Sequence, residues 1–316
     1  MPNKPIYLDN TLLKRIAGCS TAGLLSAHHG LTVEGTGVAA YCGQVVHEVL
    51  ALHLQGERLE RCLAHFDETY ESFSAENILE PEGKMERLTH YNVRKIVESW
   101  LTWNQPAEWP FLVYGAETLE HTIRAPLLPG GEVMLVGTVD AFVQDRLTGS
   151  LHILDHKTKG QVMEPWVESL KMSSQFMGYI WLAKQALGLD IKSVYVNVIH
   201  LSKVPGSNRK CYTHGVAYEE CGPLHPAHRM IGPLSYSEEM IDAWFQSAQR
   251  LARKFKAMAS MYPTLQHLIN VPAEGFFKET ACEWCPFDKF CRAGRPAELV
   301  PSLFVKDPWV AELGSK

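Results

Sequence analysis

Two carboxylates and a lysine stand at spacings that could place them on one patch of this chain, within residues 136–159. That stretch consists of two β-branched runs around a polar, glycine-bearing segment at residues 145–150, which predicts a β-hairpin. With the turn centred in that segment, residues whose numbers add up to 295 face each other, so Asp140 pairs with Asp155. Lys157 follows Asp155 by two positions and therefore lies on the same strand face.

Cross-strand partners lie about 4.5–5.5 Å apart at Cβ, so two carboxylates would meet at one point. Like charges that close repel each other unless a cation lies between them, which makes a metal site one interpretation. The other interpretation is an ordinary solvated strand face on which Lys157 is the counter-charge. The hairpin alone favours neither.

Three cysteines within ten residues form a second candidate metal site, with C-x2-C-x5-C spacing at Cys282, Cys285 and Cys291. Short spacers let the thiolates converge without a long closing loop. No fourth cysteine lies nearby, and Cys19 is the best candidate because its N-terminal segment shows no other evident role. Zinc tolerates the same ligands, and unligated thiols are the remaining alternative.

The bulk composition describes an ordinary globular protein of 316 residues, with 46% hydrophobic and 21% charged residues. No run of about 18 apolar residues predicts a membrane span, and the first residues lack a signal-peptide core, so we expect a cytoplasmic protein without a membrane partner. In that compartment the eight cysteines are more typical of metal ligands or buried thiols than of disulfides. The formal net charge of -5 argues against a globally basic nucleic-acid coat but permits a local basic groove.

The segment before the hairpin is predicted to be mostly helical, with helices over residues 11–25, 38–54, 57–73 and 84–103. His47 lies inside the second of these, where a lone histidine is more often a core residue than a ligand. Alternation over residues 112–123 then predicts a single strand that carries Glu117.

Beyond the hairpin, residues 166–187 are predicted to form one long helix with Gln175 and Tyr179 on one face. A β-branched strand over residues 194–201 follows, and residues 204–233 are interpreted as a loop with basic side chains. Ser235 with Glu238 predicts a capping box that starts a helix to about Met261, whose later turns cluster four cationic residues: Arg250, Arg253, Lys254 and Lys256. That loop and this helix face are candidate phosphate contacts. Strand, hairpin, helix and strand indicate a mixed α/β core with the earlier helices over one side.

Five motifs in one order carry a resemblance to a known family. They are a GxxxH helix at Gly43–His47, a GxxD strand at Gly137–Asp140, a DxK strand at Asp155–Lys157, a QxxxY helix at Gln175–Tyr179, and Cys19 followed by the C-terminal cysteines. In this order they resemble RecB-type nucleases of the PD-(D/E)XK superfamily, in the branch that carries an iron-sulfur cluster. That branch includes small CRISPR-associated RecB-like nucleases and the nuclease domain of the AddB helicase subunit. The first acidic motif reads Thr-Val-Asp and lacks the proline for which the superfamily is named.

The resemblance implies a restriction-endonuclease-like mixed sheet flanked by helices, with the N- and C-terminal segments joined by a metal cluster. It implies that Mg2+ or Mn2+ is bound by Asp140, Asp155, the backbone carbonyl of His156 and His47, and that Lys157 positions or deprotonates the attacking water. Gln175 and Tyr179 would hold the DNA backbone or brace the site, with Glu117 as an outer carboxylate. The four family cysteines, Cys19, Cys282, Cys285 and Cys291, would hold a 4Fe-4S cluster, with zinc as the alternative.

The expected activity is hydrolysis of DNA by an exonuclease on single strands or duplex ends. The alternative is a non-catalytic DNA clamp or a subunit of a recombination or CRISPR-adaptation complex. The chain has no helicase motifs, so opening of a duplex requires a helicase or recombination partner, and a homo-oligomer is left open. We expect an N-terminal helical part (1–110), a nuclease core (111–202) and a part with the loop, basic helix and cysteines (203–316), folded as one unit.

Overall fold

The structure, a computed structural model, describes residues 5–33, 38–74, 88–115, 118–201, 228–277, 282–283 and 285–307. In chain order the first elements are β1 (Ile6–Leu8), α1 (Asn10–Gly18), α2 (Ser20–Gly23), β2 (Leu31–Thr32), α3 (Val38–Leu54), α4 (Leu59–Ser74), α5 (His90–Trp103), β3 (Phe111–Val113), β4 (His121–Pro126), β5 (Val133–Val139), β6 (Ala141–Asp145) and β7 (Leu151–Lys159). They continue with α6 (Glu164–Ser169), α7 (Ser174–Leu187), β8 (Ser193–His200), β9 (His228–Ser235), α8 (Glu238–Met261), α9 (Asp288–Arg292), α10 (Val300–Leu303) and β10 (Val305–Lys306). None of the described helices is both long and apolar enough to cross a membrane.

The central sheet has the strand order β3-β6-β7-β8-β9, in which β7 and β8 are parallel and the other neighbours are antiparallel. A second sheet has the order β1-β5-β4, and β2 pairs with β10. The predicted mixed α/β class is therefore confirmed. The predicted hairpin register is also confirmed, since Ala141 faces Leu154 and Gln144 faces Leu151.

Side chains alternate across the central sheet and so join two different helical layers. Leu154 packs into an apolar cluster with α3, α4 and α5. Its neighbour Ile153 packs into a second cluster with α1, α7 and α8. Successive residues of β7 thus face opposite layers, and a side chain near the end of β7 can reach the space between them.

The first arm of the predicted hairpin divides at Asp140. The residues before it, in β5, pair with β1 and β4, whereas the residues after it, in β6, pair with β3 and β7. The prediction of one strand over residues 112–123 was also wrong, because β3 and β4 belong to different sheets. Positive φ angles at Gly115 and Glu120 mark the turn that separates them.

Three predictions downstream of the hairpin need correction. The predicted helix over residues 166–187 is interrupted before α7. Ser173 is the N-cap of α7, and its side chain accepts a hydrogen bond from Phe176 N–H. Residues 228–233 of the expected loop (204–233) belong to β9, while residues 204–227 lie outside the described chain. The cap of α8 is Ser237, because Ser235 still belongs to β9, whereas the end of α8 at Met261 was predicted correctly.

The N-terminal helix predicted over residues 11–25 is broken at Cys19. That residue has an extended backbone (φ -161°, ψ 130°) between α1 and α2. The prediction of a helix over residues 38–54 is confirmed by α3, and those over 57–73 and 84–103 correspond to α4 and α5 within the described residues. The division into three parts stays a prediction.

The two ends of the chain pack against each other through side chains and backbone. Glu274 accepts hydrogen bonds from Ser20 N–H (2.8 Å) and the Ser20 hydroxyl (2.5 Å). Thr21 donates to the carbonyl of Pro272 (3.1 Å), and Arg295 donates to the Thr21 hydroxyl (3.3 Å). We call this region the terminal junction. Its hydrogen bonds hold the ends together through the chain's own groups.

Candidate active site

Four elements bring ionisable side chains to the point where β5 leaves the second sheet and β6 enters the central one. Asp140 occupies that point, and Asp155 and Lys157 come from the neighbouring strand β7. His47 reaches the same place from the middle of α3. Glu120 completes the group from the residue just before β4. We call this region the acidic centre.

Three of these side chains present a compact set of ligand atoms. His47 Nδ1 lies 3.4 Å from Asp140 Oδ2 and 3.8 Å from Glu120 Oε1. One ligand atom of each of the three residues lies within 4.8 Å of the other two. The backbone N–H of His156 donates to Asp140 Oδ2 at 2.6 Å, which fixes that carboxylate relative to β7.

The second carboxylate of the hairpin is paired with the motif lysine. Asp155 is 1% exposed, and Lys157 Nζ lies 2.9 Å from its Oδ1 and 2.8 Å from its Oδ2. The contact with Oδ1 has hydrogen-bond geometry, whereas Oδ2 is buried without a hydrogen bond. The ring of His156 lies on the opposite face, where Asn197 Nδ2 contacts its Nδ1 at 2.9 Å. Burial lowers the pKa of His156 to about 3, so its imidazole is neutral.

The ionisable groups of the acidic centre shift one another's pKa values, downward for Asp140 and upward for His47. Burial would raise the pKa of Asp140, but the neighbouring His47, His156 and Lys157 outweigh burial and hold it below its usual value. Burial would likewise lower the pKa of His47, but the charges of Asp140 and Glu120 raise it instead. Asp140 is therefore the group that stays ionised at any ordinary pH.

The other two carboxylates are compensated less completely than Asp140. Burial, together with the charge of Asp140, raises the pKa of Glu120 to about 7. Burial also raises the pKa of Asp155 to about 6, in spite of the opposing charge of Lys157. Glu120 Oε1 and Asp155 Oδ2 are both buried without a hydrogen bond, which is costly for an ionised oxygen. A divalent cation would satisfy these oxygens, and carboxylates with one imidazole suit Mg2+ or Mn2+.

Glu120 is the residue that the sequence prediction missed. The prediction chose Glu117, which lies outside the described residues. In the β4–β5 pair His121 faces Val139, so the next residues outward, Glu120 and Asp140, meet, and Glu120 N–H donates to the Asp140 carbonyl at 2.9 Å. Paired residues of β4 and β5 have numbers that add up to 260, so this hairpin is centred on Gly130. Centring it on the predicted turn at residues 126–131 would instead pair Glu120 with Gly137, so the sequence alone did not place Glu120 beside Asp140.

Two motif glycines explain how the elements come so close. A Cβ on Gly137 would lie 2.9 Å from both Tyr179 Cε1 and Leu182 Cδ1, so only glycine lets β5 contact α7. A Cβ on Gly43 would lie 3.1 Å from Thr158 Oγ1, at the approach of α3 to β7. The glycines of GxxD and GxxxH therefore serve packing next to the acidic residues.

The glutamine and tyrosine of α7 also adjoin the acidic centre. Gln175 Nε2 donates to Tyr179 Oη at 2.8 Å, as expected from their spacing on one helix face. Burial and the charges of Asp155 and Asp140 raise the pKa of Tyr179 well above its usual value, so the phenol stays protonated. The pair thus offers neutral polar groups beside two carboxylates.

The four predicted cluster cysteines are brought together at the terminal junction. A Cβ on Gly275 would lie 3.1 Å from Cys282 Sγ and 3.7 Å from Cys19 Sγ, so a glycine separates the two thiols. Burial and the neighbouring Cys19 and Cys285 raise the pKa of Cys291 to about 11. All four are free thiols. Four cysteines supply the donor type of a thiolate-bound metal site, but within the described residues no three of their Sγ atoms lie within 4.8 Å of one another.

Comparison with known proteins gives one strong result. A search of curated proteins found no match. The crystal structure of SSO0001 is similar over 90% of this chain and 95% of that chain, at 15% identity and a TM-score of 0.32. A family model of the PD-(D/E)XK nuclease superfamily matches residues 11–292, which include every motif from the GxxxH helix to the last cysteine. Members of that superfamily are generally metal-dependent nucleases, and the mixed sheet found here is consistent with their fold. The match extends over most of the sequence, and the chain belongs to the PD-(D/E)XK nuclease superfamily.

Proposed function

We propose that this protein is a metal-dependent DNA nuclease of the RecB-like, iron-sulfur branch, an exonuclease that acts on single strands or duplex ends. The observation that carries the proposal is the acidic centre, where His47, Glu120 and Asp140 converge beside Asp155, one oxygen of which is buried without a hydrogen bond. Buried like charges without partners are costly in a folded protein, and binding of a divalent cation would remove that cost.

In this proposal His47, Glu120 and Asp140 hold Mg2+ or Mn2+, together with Asp155 and the backbone carbonyl of His156. The cation supplies Lewis-acid polarisation of the scissile phosphate and acidifies a bound water. Both carboxylates next to Lys157 raise its pKa although burial would lower it, so its ammonium keeps its proton at neutral pH. Lys157 therefore acts as a fixed positive charge that orients the water or stabilises the charge developing on the phosphate. Gln175 and Tyr179 contact the DNA backbone or brace the carboxylates.

The proposal includes a 4Fe-4S cluster on Cys19, Cys282, Cys285 and Cys291, with a structural role at the terminal junction. A tetrahedral zinc with Zn–S bonds of about 2.3 Å would need thiols about 3.8 Å apart. Among the described residues, three ligand atoms within 4.8 Å of one another occur at the acidic centre and not among these thiols. Within the described part of the chain these thiols are therefore not arranged as a preformed tetrahedral zinc site.

The alternative is a non-catalytic DNA clamp within a recombination or CRISPR-adaptation complex. A clamp binds a polyanion, and three clustered carboxylates, of which Asp155 is paired with Lys157, would oppose that binding in the absence of a metal. The charge pattern at Glu120 and Asp155 therefore favours catalysis. A helicase or recombination partner, or a second copy of this chain, remains compatible with either function.

The deciding experiment is digestion of end-labelled single- and double-stranded DNA with Mg2+ or Mn2+, comparing the wild type with Lys157→Ala and Asp140→Asn. We expect cleavage by the wild type and a loss of about 10²- to 10³-fold or more in each variant. Lys171→Ala is the matched control, because this lysine pairs with Glu168 at 2.7 Å on an exposed surface. DNA binding without cleavage by the wild type in either metal would favour the clamp, and unchanged cleavage by both variants would overturn the proposed mechanism.

A further inference from the structure

Three residues of β7 project from the same strand face at its C-terminal end: Asp155, Lys157 and Lys159. Alternate residues of a strand lie about 6–7 Å apart, so Lys157 and then Lys159 lie progressively farther from Asp155 along one strand face. The intervening position, His156, faces the α3–α5 layer and packs near Trp100. β7 therefore presents a short row of cations on the side where α1, α6 and α7 lie.

Lys159 is held in place by an aromatic ring. Its Nζ lies 4.8 Å from the centroid of the Trp166 ring, at α6. No carboxylate within the described chain lies at ion-pair distance from this ammonium. Burial and repulsion from Lys157 both lower the pKa of Lys159. The side chain is thus oriented while its charge remains uncompensated.

Lys14 adds a cation from a different element. It lies one helical turn after Asn10, whose Oδ1 accepts a hydrogen bond from the Ser174 hydroxyl at 2.6 Å, and this contact docks α1 beside the start of α7. Desolvation, together with repulsion from Lys157, lowers the pKa of Lys14. Asp9 is the nearby acid on this helix, and its carboxylate caps α1 at Leu12 N–H (2.7 Å).

The basic face of α8 differs from this group. Lys254 lies 2.9 Å from Glu274 and Lys256 lies 2.6 Å from Glu132, so carboxylates of the protein neutralise both. Lys157 is likewise paired with Asp155. Among the lysines near the acidic centre, Lys14 and Lys159 have no such partner within the described residues. Cations that lack acidic partners are suited to bind a ligand with regularly spaced negative charges.

We propose that Lys14 and Lys159 bind the backbone phosphates that flank the scissile phosphate of a single DNA strand, one from α1 and the other from the end of β7. The inference rests on the proposed function and deepens it, because it assigns the path of the strand to the α1–α6 side of the acidic centre. Both lysines are positioning residues, which hold the strand while Lys157 and the carboxylates act on the phosphate between them.

The test measures binding of a fluorescent single-stranded oligonucleotide, without divalent metal, over a range of salt concentrations. We compare the wild type with Lys14→Gln, Lys159→Gln and the double variant. Each lost phosphate contact should reduce the slope of log K against log salt by about 0.7, so the double variant should lose about 1.4. Lys184→Gln is the control, since this exposed lysine lies nine residues beyond Gln175, about 13 Å along α7.

Cleavage kinetics provide a second readout. In the double variant we expect KM to rise several-fold while kcat stays within about twofold, because binding and not chemistry is lost. A salt slope and an affinity equal to those of Lys184→Gln would overturn the assignment, whether or not the wild type cleaves DNA. Reduced binding by the double variant, in a protein whose wild type binds DNA but never cleaves it, would instead support the phosphate path and count against the nuclease. Thermal unfolding at the wild-type temperature verifies that each variant is folded.

Discussion

The acidic centre and the terminal junction each contain a glutamate whose side chain is about one third exposed, 36% at Glu120 and 35% at Glu274, but the surroundings of the two carboxylates are opposite. Glu274 at the junction accepts hydrogen bonds from Ser20 N–H, the Ser20 hydroxyl and Lys254, and these lower its pKa to about 2 although burial would raise it. Glu120 in the acidic centre has a buried oxygen without a hydrogen bond and a pKa raised to about 7.

Glu274 therefore stabilises the fold, whereas Glu120 has an oxygen for which the described part of the fold supplies no hydrogen-bond donor. A carboxylate whose hydrogen bonds are all supplied by the chain contributes to stability above its unfolded pKa. A buried carboxylate with a like charge as neighbour opposes folding when ionised, and a ligand from outside the chain must compensate it. The pattern at Glu120 is therefore typical of a binding site, and that at Glu274 of a structural contact.

The largest effect that distinguishes the two regions should come from Glu120→Gln. We expect the rate of DNA cleavage to fall about 10²- to 10³-fold, because one ligand of the proposed metal is lost. The free energy of unfolding should be unchanged or slightly increased, since the substitution removes repulsion with Asp140. Glu132→Gln is the control, an exposed glutamate paired with Lys256. Normal cleavage by Glu120→Gln would exclude Glu120 from the metal site.

A smaller effect, on stability, is expected from Cys291→Ser at the terminal junction. If four thiolates bind a cluster, the purified protein should lose its visible absorbance and about 2–5 kcal/mol of stability, similar to the loss of a native cross-link. Chemical denaturation and an absorbance spectrum measure the two effects. Cys62→Ala, a buried thiol outside the set, should leave the spectrum unchanged. A colourless wild-type protein with one zinc ion would contradict the cluster.

The smallest effect should come from Glu274→Gln, the counterpart of the substitution at Glu120. Loss of charge-assisted hydrogen bonds to Ser20 and Lys254 should cost about 1–2 kcal/mol at pH 7, with cleavage retained. The folded pKa of Glu274 is depressed, so its contribution is present above the unfolded value and is lost as the pH falls from about 4.5 towards 2. Unfolding curves of both proteins should therefore converge in acid. A difference at pH 2 as large as that at pH 7 would contradict this assignment.

Much of the fold followed from local patterns in the sequence. The register of β6 with β7 is set by a short polar turn, and α3 by its own apolar periodicity, so both were predicted correctly. The predictions failed where an element changes its partner. Residues 112–123 alternate like one strand, yet β3 and β4 pair with different sheets, which no local pattern records.

The sequence by itself determined the superfamily motifs, the facing of Asp140 and Asp155, and the position of Lys157 on the same strand face, since these depend on spacing within single elements or one tight hairpin. Only the tertiary structure decided that Glu120 joins His47 and Asp140. That contact requires β5 to pair with β4 before the chain crosses into the central sheet at Asp140. It also decided that Cys19 meets Cys282, because the packing of distant chain ends is a non-local event that depends on the whole core.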